Sequence, residues 1–221
     1  MSDRVVAFIP AYNEGARLGP VVTQARGVVE LVVVIDDGSS DGTAAVAREA
    51  GAVVLEHREN RGKGAAILTG LQYLSESGAE YGIFLDADGQ HDPAEIPQFV
   101  ATATRTGAGI VVGTRMADVK DMPRIRLWTN QFTSWVTGKL ARQRVPDSQC
   151  GYRLVRRSVV PVLRFSTAHF ETETEMLIQA GRAGYRIESL PIRTIYVAGR
   201  ISRILPWRDS VRFCKLAWRY W

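Results

Sequence analysis

Short apolar runs alternate with longer stretches of helical periodicity through the first half of the chain. The runs predict five strands, at 5–9, 31–35, 52–55, 81–85 and 110–112. The stretches between them predict helices at 14–29, at 43–50, from about 60 to 74, and after Pro93. Strands that alternate with helices are typical of a mostly parallel, doubly wound α/β sheet with right-handed crossovers and helices on both faces.

The second half of the chain has a different pattern. Helical spacing predicts a helix over 124–142 and another that opens at 170–175 and runs to 182. Strands are expected after 147–153 and over 184–197. The first of these helices carries apolar residues at helical spacing, and we interpret it as an amphipathic helix that covers the core. Those residues are Trp128, Phe132, Trp135 and Val136. No linker or repeat divides 1–205, which we assign to a single domain.

The last segment, 206–221, is predicted to be a basic, tryptophan-rich amphipathic helix. Alternating steps of four and three place one set of side chains on the same side: Trp207, Val211, Cys214, Trp218 and Trp221. The same steps place a basic set on the neighbouring side: Arg208, Arg212, Lys215 and Arg219. Such a helix is suited to lie in the interface of an anionic membrane. Packing on its own domain or on a dimer partner is the alternative.

Composition and charge indicate a cellular setting. The chain has 221 residues and two cysteines, Cys150 and Cys214, whose spacing forms no metal-binding pattern, which favours a reduced, cytoplasmic protein. No signal-like segment opens the sequence, and no apolar run approaches the roughly 20 residues of a membrane span. The formal charge is +5, and seven Lys and Arg residues against one acid lie between Arg193 and the end. We therefore expect a peripheral protein on the cytoplasmic face of a membrane.

The strongest candidate for chemistry is the stretch Asp86-Ala87-Asp88-Gly89-Gln90, directly after the apolar run 81–85. A bend at Ala87 would turn Asp86 and Asp88 towards one divalent cation, to which Gln90 adds a neutral oxygen. Mg²⁺ or Mn²⁺ takes about six oxygen ligands, so three from the protein leave room for water and a diphosphate. The alternative is an Asp- and Gly-rich turn without a metal.

Polar clusters also end other strands of the first half, at 10–14, 36–40 and 113–115. All fall at the carboxyl ends of parallel strands, where ligands bind in such sheets. Neither G-x-G-x-x-G nor a P-loop is present, which disfavours a nicotinamide or flavin enzyme and a P-loop nucleotidase. A sugar-phosphate nucleotidyltransferase should have a Gly-rich loop after the first strand, where 10–14 has no glycine. Nucleic acid is an unfavourable partner because the acidic sheet edge repels phosphates and no groove-reading motif is present.

Seven motifs, taken together and in order, resemble those of the family 2 glycosyltransferases. They are Pro10-Ala-Tyr-Asn-Glu, Asp36-Asp-Gly-Ser-Ser-Asp-Gly-Thr, Asn60-Arg-Gly-Lys-Gly, Asp86-Ala-Asp-Gly-Gln-His, Gly113-Thr-Arg, Gln149-Cys-Gly-Tyr-Arg and Phe170-Glu-Thr-Glu. Within that family the chain is most similar to the branch that contains the dolichol-phosphate mannose and glucose synthases. The resemblance implies a GT-A fold, a divalent metal, and inverting transfer of a hexose from a nucleotide-diphosphate sugar such as GDP-mannose or UDP-glucose.

The resemblance also implies roles for single residues. The positions that hold the nucleotide sugar match Pro10, Tyr12, Glu14, Asp37, Lys63, Asp86 and Ala87. The metal ligands match Asp86, Asp88 and Gln90, and Asp88 is also counted as catalytic. Arg115 matches a residue that contacts the acceptor phosphate, and Arg126 is a second candidate for that contact. Glu173 falls where relatives with hydroxyl acceptors carry a general base, although Thr172-Glu173 replaces their Glu-Asp.

Arg115 and Glu173 therefore distinguish two classes of acceptor. A polyprenyl or dolichyl phosphate is ionised at neutral pH, so it needs arginines that position it and no strong base. A hydroxyl of a cell-wall or surface polysaccharide would need a base such as Glu173. The lipid phosphate is the predicted acceptor and the hydroxyl is the alternative.

Overall fold

The computed structural model describes residues 5–116, 124–167, 169, 171–193, 195 and 206–221, with the side chains at 124, 126 and 206–209 left out. The elements follow one another as β1 (Val5–Ala11), α1 (Gly15–Arg26), β2 (Leu31–Asp36), α2 (Thr43–Glu49), β3 (Val53–Glu56), α3 (Lys63–Glu76), β4 (Tyr81–Phe84), α4 (Ile96–Thr106), β5 (Ile110–Thr114), α5 (Arg124–Ala141), β6 (Arg153–Arg156), α6 (Glu171–Arg182), β7 (Ile187–Pro191) and α7 (Pro206–Tyr220). Short 3-10 helices lie at Pro93–Glu95 and Arg157–Val162.

The seven strands of the described residues form one sheet in the order β3-β2-β1-β4-β6-β5-β7. β6 runs antiparallel to β4 and β5, and every other neighbouring pair is parallel. The central strands are buried apolar runs, such as Val32 to Ile35 in β2, as expected for strands covered on both faces. The predicted mostly parallel α/β sheet in a single domain is confirmed.

The reversed direction of β6 brings a loop of the second half to the carboxyl edge of the sheet. Arg153, the first residue of β6, pairs with Phe84 at the end of β4 and with Val112 near the end of β5. The loop before β6 therefore arrives at the edge where β1, β2, β4 and β5 end. This topology places residues 147–152 beside the candidate metal turn.

The strand predicted over 184–197 is shorter in the structure. β7 spans Ile187–Pro191 and pairs only with β5, whose last pair is Thr114 with Pro191. Because β5 ends at Thr114, its pairing with β7 stops at Pro191. Positions 194, 196 and 197 of the predicted strand lie outside the described residues.

The interpretation of α5 as a helix whose aromatic side chains cover the core is wrong. Val136 is buried, but Trp128, Phe132 and Trp135 are 77%, 57% and 56% exposed. The inward side of α5 is instead lined largely by small and polar residues: Asn130, Thr133, Ser134 and Thr137. These pack against the loop before β6, where polar partners are available, so the bulky aromatic rings occupy the outer side.

α7 packs on the domain through one side and exposes the other. Leu216 is buried in a cluster with Val136, Leu140 and Ile178, and Tyr220 donates a hydrogen bond to Oε1 of Glu175 (3.0 Å). The predicted apolar side faces outward: Val211, Cys214, Trp218 and Trp221 are exposed, and the side chain of Trp207 lies outside the described residues. Within the described ranges, no helix combines the length and apolar character that crossing a bilayer requires.

Gly181 tests the close contact between α5 and α6 that holds this half of the fold together. A Cβ at this position would lie 2.3 Å from the carbonyl oxygen of Ala141. We expect Gly181→Ala to lower the free energy of unfolding by about 1–3 kcal/mol, because the two helices must move apart. Urea unfolding measures the change. Gly19→Ala is the matched helical control, since its Cβ would lie at an ordinary 3.4 Å from Val46; equal stability of both variants would contradict the prediction.

Candidate active site

The turn that follows β4 is closed by its own hydrogen bonds. The side chain of Asp88 accepts a bond from the backbone N–H of Gln90 (3.0 Å), and Gly89 adopts a φ of +76°, which favours glycine. Nδ1 of His91 accepts a bond from the backbone N–H of Asp86 (3.1 Å). Asp86, Asp88 and Gln90 are thus carried by one compact turn at the carboxyl edge of the sheet.

His91 supports this turn through a hydrogen bond and ring stacking, a role that the sequence analysis did not assign. Its ring is buried and stacks on Tyr152 with ring centres 4.9 Å apart. The Tyr152 hydroxyl donates to the backbone oxygen of Asp92 (2.9 Å). Burial lowers the pKa of His91, which agrees with a neutral ring whose Nδ1 is an acceptor. The signal in the sequence was the histidine that directly follows Gln90.

Four charged side chains, including that of Asp86, meet at this edge of the sheet. Nζ of Lys63 lies 2.6 Å from Oδ1 of Asp86 and 3.5 Å from Oε1 of Glu173. Oε1 of Glu173 also lies 3.5 Å from Nη2 of Arg153, which is fully buried. We call these four residues the charge cluster. Burial alone would lower the pKa of Lys63, but Asp86 and Glu173 raise it well above its usual value, so Lys63 is a cation here.

Arg153 fixes the loop before β6 as well as the cluster. Its Nη1 donates to the backbone oxygen of Glu173 (2.9 Å) and its Nη2 to that of Cys150. Its Nε is buried without a hydrogen-bond partner in the structure. Cys150 is itself buried, which raises the pKa of its thiol to about 12. Arg153 was quoted in a motif without a role, and its burial could not be read from the sequence.

Any side chain at position 151 would have to displace the carboxylate of Asp86 and the ammonium of Lys63. A Cβ there would lie 2.8 Å from both carboxylate oxygens of Asp86 and 2.9 Å from Nζ of Lys63.

The oxygens of Asp86, Asp88 and Gln90 are of the type that Mg²⁺ and Mn²⁺ prefer, so the residues present fit a divalent cation. Among the described residues, no group of three or more His, Cys, Asp and Glu side chains is placed to hold a metal.

Asp37 organises the loop that leads into α3. Its carboxylate accepts hydrogen bonds from the backbone N–H groups of Arg61 (3.0 Å) and Gly62 (2.7 Å) and lies 2.6 Å from Nδ1 of His57. Gly38 has a φ of +75°, and a Cβ there would lie 2.5 Å from the backbone carbon of Glu59. Asp37 thereby positions the start of α3, where Lys63 is the first residue. His57 is a further partner that the sequence analysis missed.

The loop after β1 lies at the same edge. Ala11, at the end of β1, pairs with Asp36, the residue before Asp37. Asn13 has a φ of +51°, accepts a bond from the N–H of Ser40 (2.9 Å) and donates its own N–H to Oγ of Ser39 (2.9 Å). These bonds join the loop after β2 to the loop after β1, which carries the predicted nucleotide residues Tyr12 and Glu14; Pro10 lies near the end of β1. Ala87 is buried.

Arg115 is paired with a buried acid that the sequence analysis did not single out. Its Nε and Nη2 donate to Oδ2 and Oδ1 of Asp147, both at 3.0 Å. Burial would lower the pKa of Arg115 and raise that of Asp147, but the pair overrides both effects and keeps the two groups charged. Arg115 is close enough to the turn for the charge of Asp86 to raise its pKa.

Asp147 links Arg115 to α5. Its Oδ1 accepts a bond from Nδ2 of Asn130 (2.9 Å), and Oδ1 of Asn130 accepts one from Oγ of Ser134 (2.9 Å). Ser134 also accepts the backbone N–H of Ser148 (2.9 Å). This buried network fixes α5 against the loop before β6. The side chain of Arg126, the second predicted phosphate contact, lies outside the described residues.

The structure therefore brings most of the predicted site residues to one edge of the sheet. The turn at 86–90 and the charge cluster place Asp86, Lys63 and Glu173 in direct contact. Arg115 is not part of that contact and is held by Asp147. This arrangement offers carboxylate oxygens that could bind a cation and the ammonium of Lys63, which could bind a phosphate. It also offers a separate arginine, Arg115, whose position is fixed by Asp147.

Comparison with known proteins identifies the family. The family model described as glycosyl transferase family 2 matches residues 6–163. UDP-N-acetylglucosamine--dolichyl-phosphate N-acetylglucosaminyltransferase of Methanococcus voltae is 30% identical over 227 residues, covering 92% of this chain and 90% of the relative. Polyprenol monophosphomannose synthase of Mycolicibacterium smegmatis is 29% identical over 205 residues, covering 86% of this chain and 77% of the relative.

Solved structures support the fold. Glucosyl-3-phosphoglycerate synthase of Mycobacterium tuberculosis superposes with a TM-score of 0.71 at 20% identity, covering 98% of this chain and 81% of the other. Mannosyl-3-phosphoglycerate synthase of Rubrobacter xylanophilus gives 0.72 at 19% identity, covering 98% and 72%. These likenesses establish the GT-A architecture. With the family model matched over most of the chain, this protein belongs to glycosyl transferase family 2 and is a glycosyltransferase.

Proposed function

We propose that this enzyme transfers a sugar from a nucleotide-diphosphate sugar to a polyprenyl or dolichyl phosphate, with inversion at the anomeric carbon. The observation that carries the proposal is the contact of Lys63 with Asp86 at the carboxyl edge of the sheet, together with the separate pairing of Arg115 with Asp147. In this proposal Lys63 serves the donor diphosphate and Arg115 serves the acceptor phosphate. Two relatives named for transfer to dolichyl or polyprenyl phosphate support the acceptor class.

On the donor side, Asp86, Asp88 and Gln90 would hold Mg²⁺ or Mn²⁺. When bound, the metal would neutralise the charge that grows on the departing diphosphate. Lys63 is the protein's own cation at this place, and it is available to the diphosphate because it is already charged and anchored by Asp86 and Glu173. Pro10, Tyr12, Glu14, Asp37 and the backbone at Ala87 are proposed to receive the nucleotide.

On the acceptor side, Arg115 would bind the phosphate and orient its oxygen towards the sugar. Asp147 engages Nε and Nη2, which fixes the plane of the guanidinium before the acceptor arrives. Glu173 is an unfavourable base because its Oε1 is already engaged by Nζ of Lys63 and Nη2 of Arg153, each at 3.5 Å. A phosphate acceptor needs no base, so this arrangement favours the lipid phosphate over a hydroxyl acceptor.

The first test concerns the metal. We expect donor binding and turnover to need Mg²⁺ or Mn²⁺, and Asp88→Asn to lose essentially all turnover while the melting temperature stays near that of the wild type. An amide at position 88 keeps an oxygen for the N–H of Gln90 but loses the charge that a metal needs. Release of nucleoside diphosphate from UDP-N-acetylglucosamine, UDP-glucose and GDP-mannose, each with polyprenyl phosphate, measures turnover. Full activity in EDTA would refute the metal requirement.

The second test separates the two acceptor classes. We expect Arg115→Ala to reduce transfer far more than Glu173→Gln, because it removes the phosphate contact whereas no proton transfer is lost in the other variant. Arg115→Ala also leaves a buried Asp147 unpaired, at a cost of about 3–5 kcal/mol in stability. The double variant Arg115→Gln with Asp147→Asn removes both charges and serves as the folded control. If Glu173→Gln is inactive although its melting temperature stays near that of the wild type, and the Arg115 variants are nearly normal, the acceptor is a hydroxyl.

We also propose that the outward side of α7 contacts an anionic membrane. Its exposed residues Trp218 and Trp221 lie beside the basic residues Lys215 and Arg219. Removing the whole helix would also remove Leu216 from its cluster with α5 and α6, so point substitutions are the cleaner test.

The third test uses Trp218→Ser with Trp221→Ser in co-sedimentation with liposomes. We expect wild-type binding to require anionic lipid and to weaken with salt, because each basic residue near the surface contributes about 1 kcal/mol. The variant should bind more weakly, while Val53→Ala, at an exposed position on β3, should bind normally. Binding that is the same for variant and wild type would rule out this role of α7.

A further inference from the structure

The outward side of α5 carries a continuous row of large apolar side chains. Ile125, Trp128, Phe132 and Trp135 follow one another at steps of three and four, so they share one side of the helix, and all are more than half exposed. The rings of Phe132 and Trp135 lie 6.4 Å apart with an angle of 30° between their planes. We call these four residues the α5 ridge.

The α5 ridge is additional to what the helix needs for folding. The inward side of α5 is already fixed by Val136 and Leu140, which pack on α7, and by Asn130 and Ser134, which join the network of Asp147. Aromatic side chains in a contiguous exposed row are typical of a surface that meets another body. The ridge therefore serves contact outside the domain.

The charge around the α5 ridge indicates which kind of partner this surface contacts. Residues 124–144 contain five Lys and Arg residues and no Asp or Glu. Lys139, four residues after Trp135, continues the row and is exposed, and Arg142 and Arg144 follow it. Arg142 and Arg144 line a groove of about 800 Å³ together with Leu127 and Trp135. Apolar aromatic residues beside cations complement the acyl boundary and the anionic headgroups of a bilayer.

A second copy of the chain fits this surface less well. A two-fold dimer places the same patch against itself. The basic residues 139–144 would then add to the positive charge of an interface that has no acid from this helix to balance it. Charge complementarity thus favours an anionic lipid surface over self-association.

We propose that the α5 ridge is a membrane-docking surface, in which Trp128, Phe132 and Trp135 insert among the headgroups and Lys139, Arg142 and Arg144 contact lipid phosphates. This deepens the proposed function, and its link to the acceptor rests on that function. The docking itself is a property of the helix surface and holds for any vesicle with anionic headgroups.

The same helix connects docking to the candidate phosphate site. Asn130, on the inward side of α5, donates to Asp147, and Asp147 holds Arg115. The distance from the bilayer to Arg115 is therefore set by one rigid helix and two hydrogen-bonded side chains. A lipid-linked phosphate, which stays at headgroup depth, would meet Arg115 without leaving the membrane.

The full chain with Trp128→Ala and Trp135→Ala tests the docking. Its partition onto phosphatidylcholine vesicles that contain phosphatidylglycerol should fall at least about tenfold, because two interfacial aromatic residues are lost. Thr129→Ala, at an exposed position of α5 outside both the row and the groove, is the matched control and should bind like the wild type. Lys139→Glu should weaken binding at low salt and have little effect at high salt. An unchanged melting temperature checks the fold.

Other outcomes would overturn the proposal. Equal vesicle binding by the double variant and the wild type would remove the α5 ridge from the docking surface. A wild type that ignores the vesicles but forms a dimer, which the double variant breaks, would show a protein interface instead.

Transfer to a short, water-soluble isoprenyl phosphate without vesicles separates this proposal from the proposed function. The double variant should keep wild-type rates there and lose rate with long-chain acceptor in vesicles. Absence of transfer by the wild type to either acceptor would refute the lipid-phosphate function, while the vesicle measurement would still decide the docking.

Discussion

The pairing of Lys63 and Arg153 with Asp86 and Glu173 is the constraint on which the site depends. The four groups come from the first turn of α3, the end of β4, the start of β6 and the first turn of α6. Two cations and two carboxylates balance, and removing any one would leave a charge in a confined place, at a cost of several kcal/mol. Each charge thus fixes the position of the next element. The sheet supplies the edge, and this balance determines how the loops meet there.

Buried residues outside the site hold the site residues in place through hydrogen bonds. On the proposed donor side, Asp37 ties the loop before α3, and His91 closes the turn that carries Asp86 and Asp88. On the proposed acceptor side, Asp147 connects Arg115 with α5. In both cases a buried carboxylate or imidazole ring forms hydrogen bonds with the backbone or with a neighbouring side chain. The groups that face the edge are therefore positioned before any ligand binds, which is how a site lowers the cost of ordering its ligands.

The sequence was sufficient for the sheet because buried parallel strands are short apolar runs with few other interpretations. It was also sufficient to gather Asp86, Lys63 and Glu173 as site candidates, since strand ends and motif order both point to one edge. It could not give the partners of these residues. Asp147 and Arg115 are 32 positions apart, and His57 meets Asp37 across 20, so only the three-dimensional fold brings them together. The prediction that the aromatic residues of α5 cover the core was wrong for a related reason. Helical periodicity shows that aromatic residues share a side, but whether that side faces inward depends on the neighbours of the helix.

The two thiols of the chain have opposite environments, so a reagent can label the C-terminal helix selectively. Cys150 is buried, and the high pKa of its thiol keeps it protonated at neutral pH, when a thiol is a poor nucleophile. Cys214 is exposed on α7, next to the turn that carries Trp218. Alkylating reagents should therefore discriminate between them in the native protein without any engineered substitution. A single environment-sensitive fluorophore would then report from the outer surface of α7, with its emission colour giving the polarity that this helix experiences.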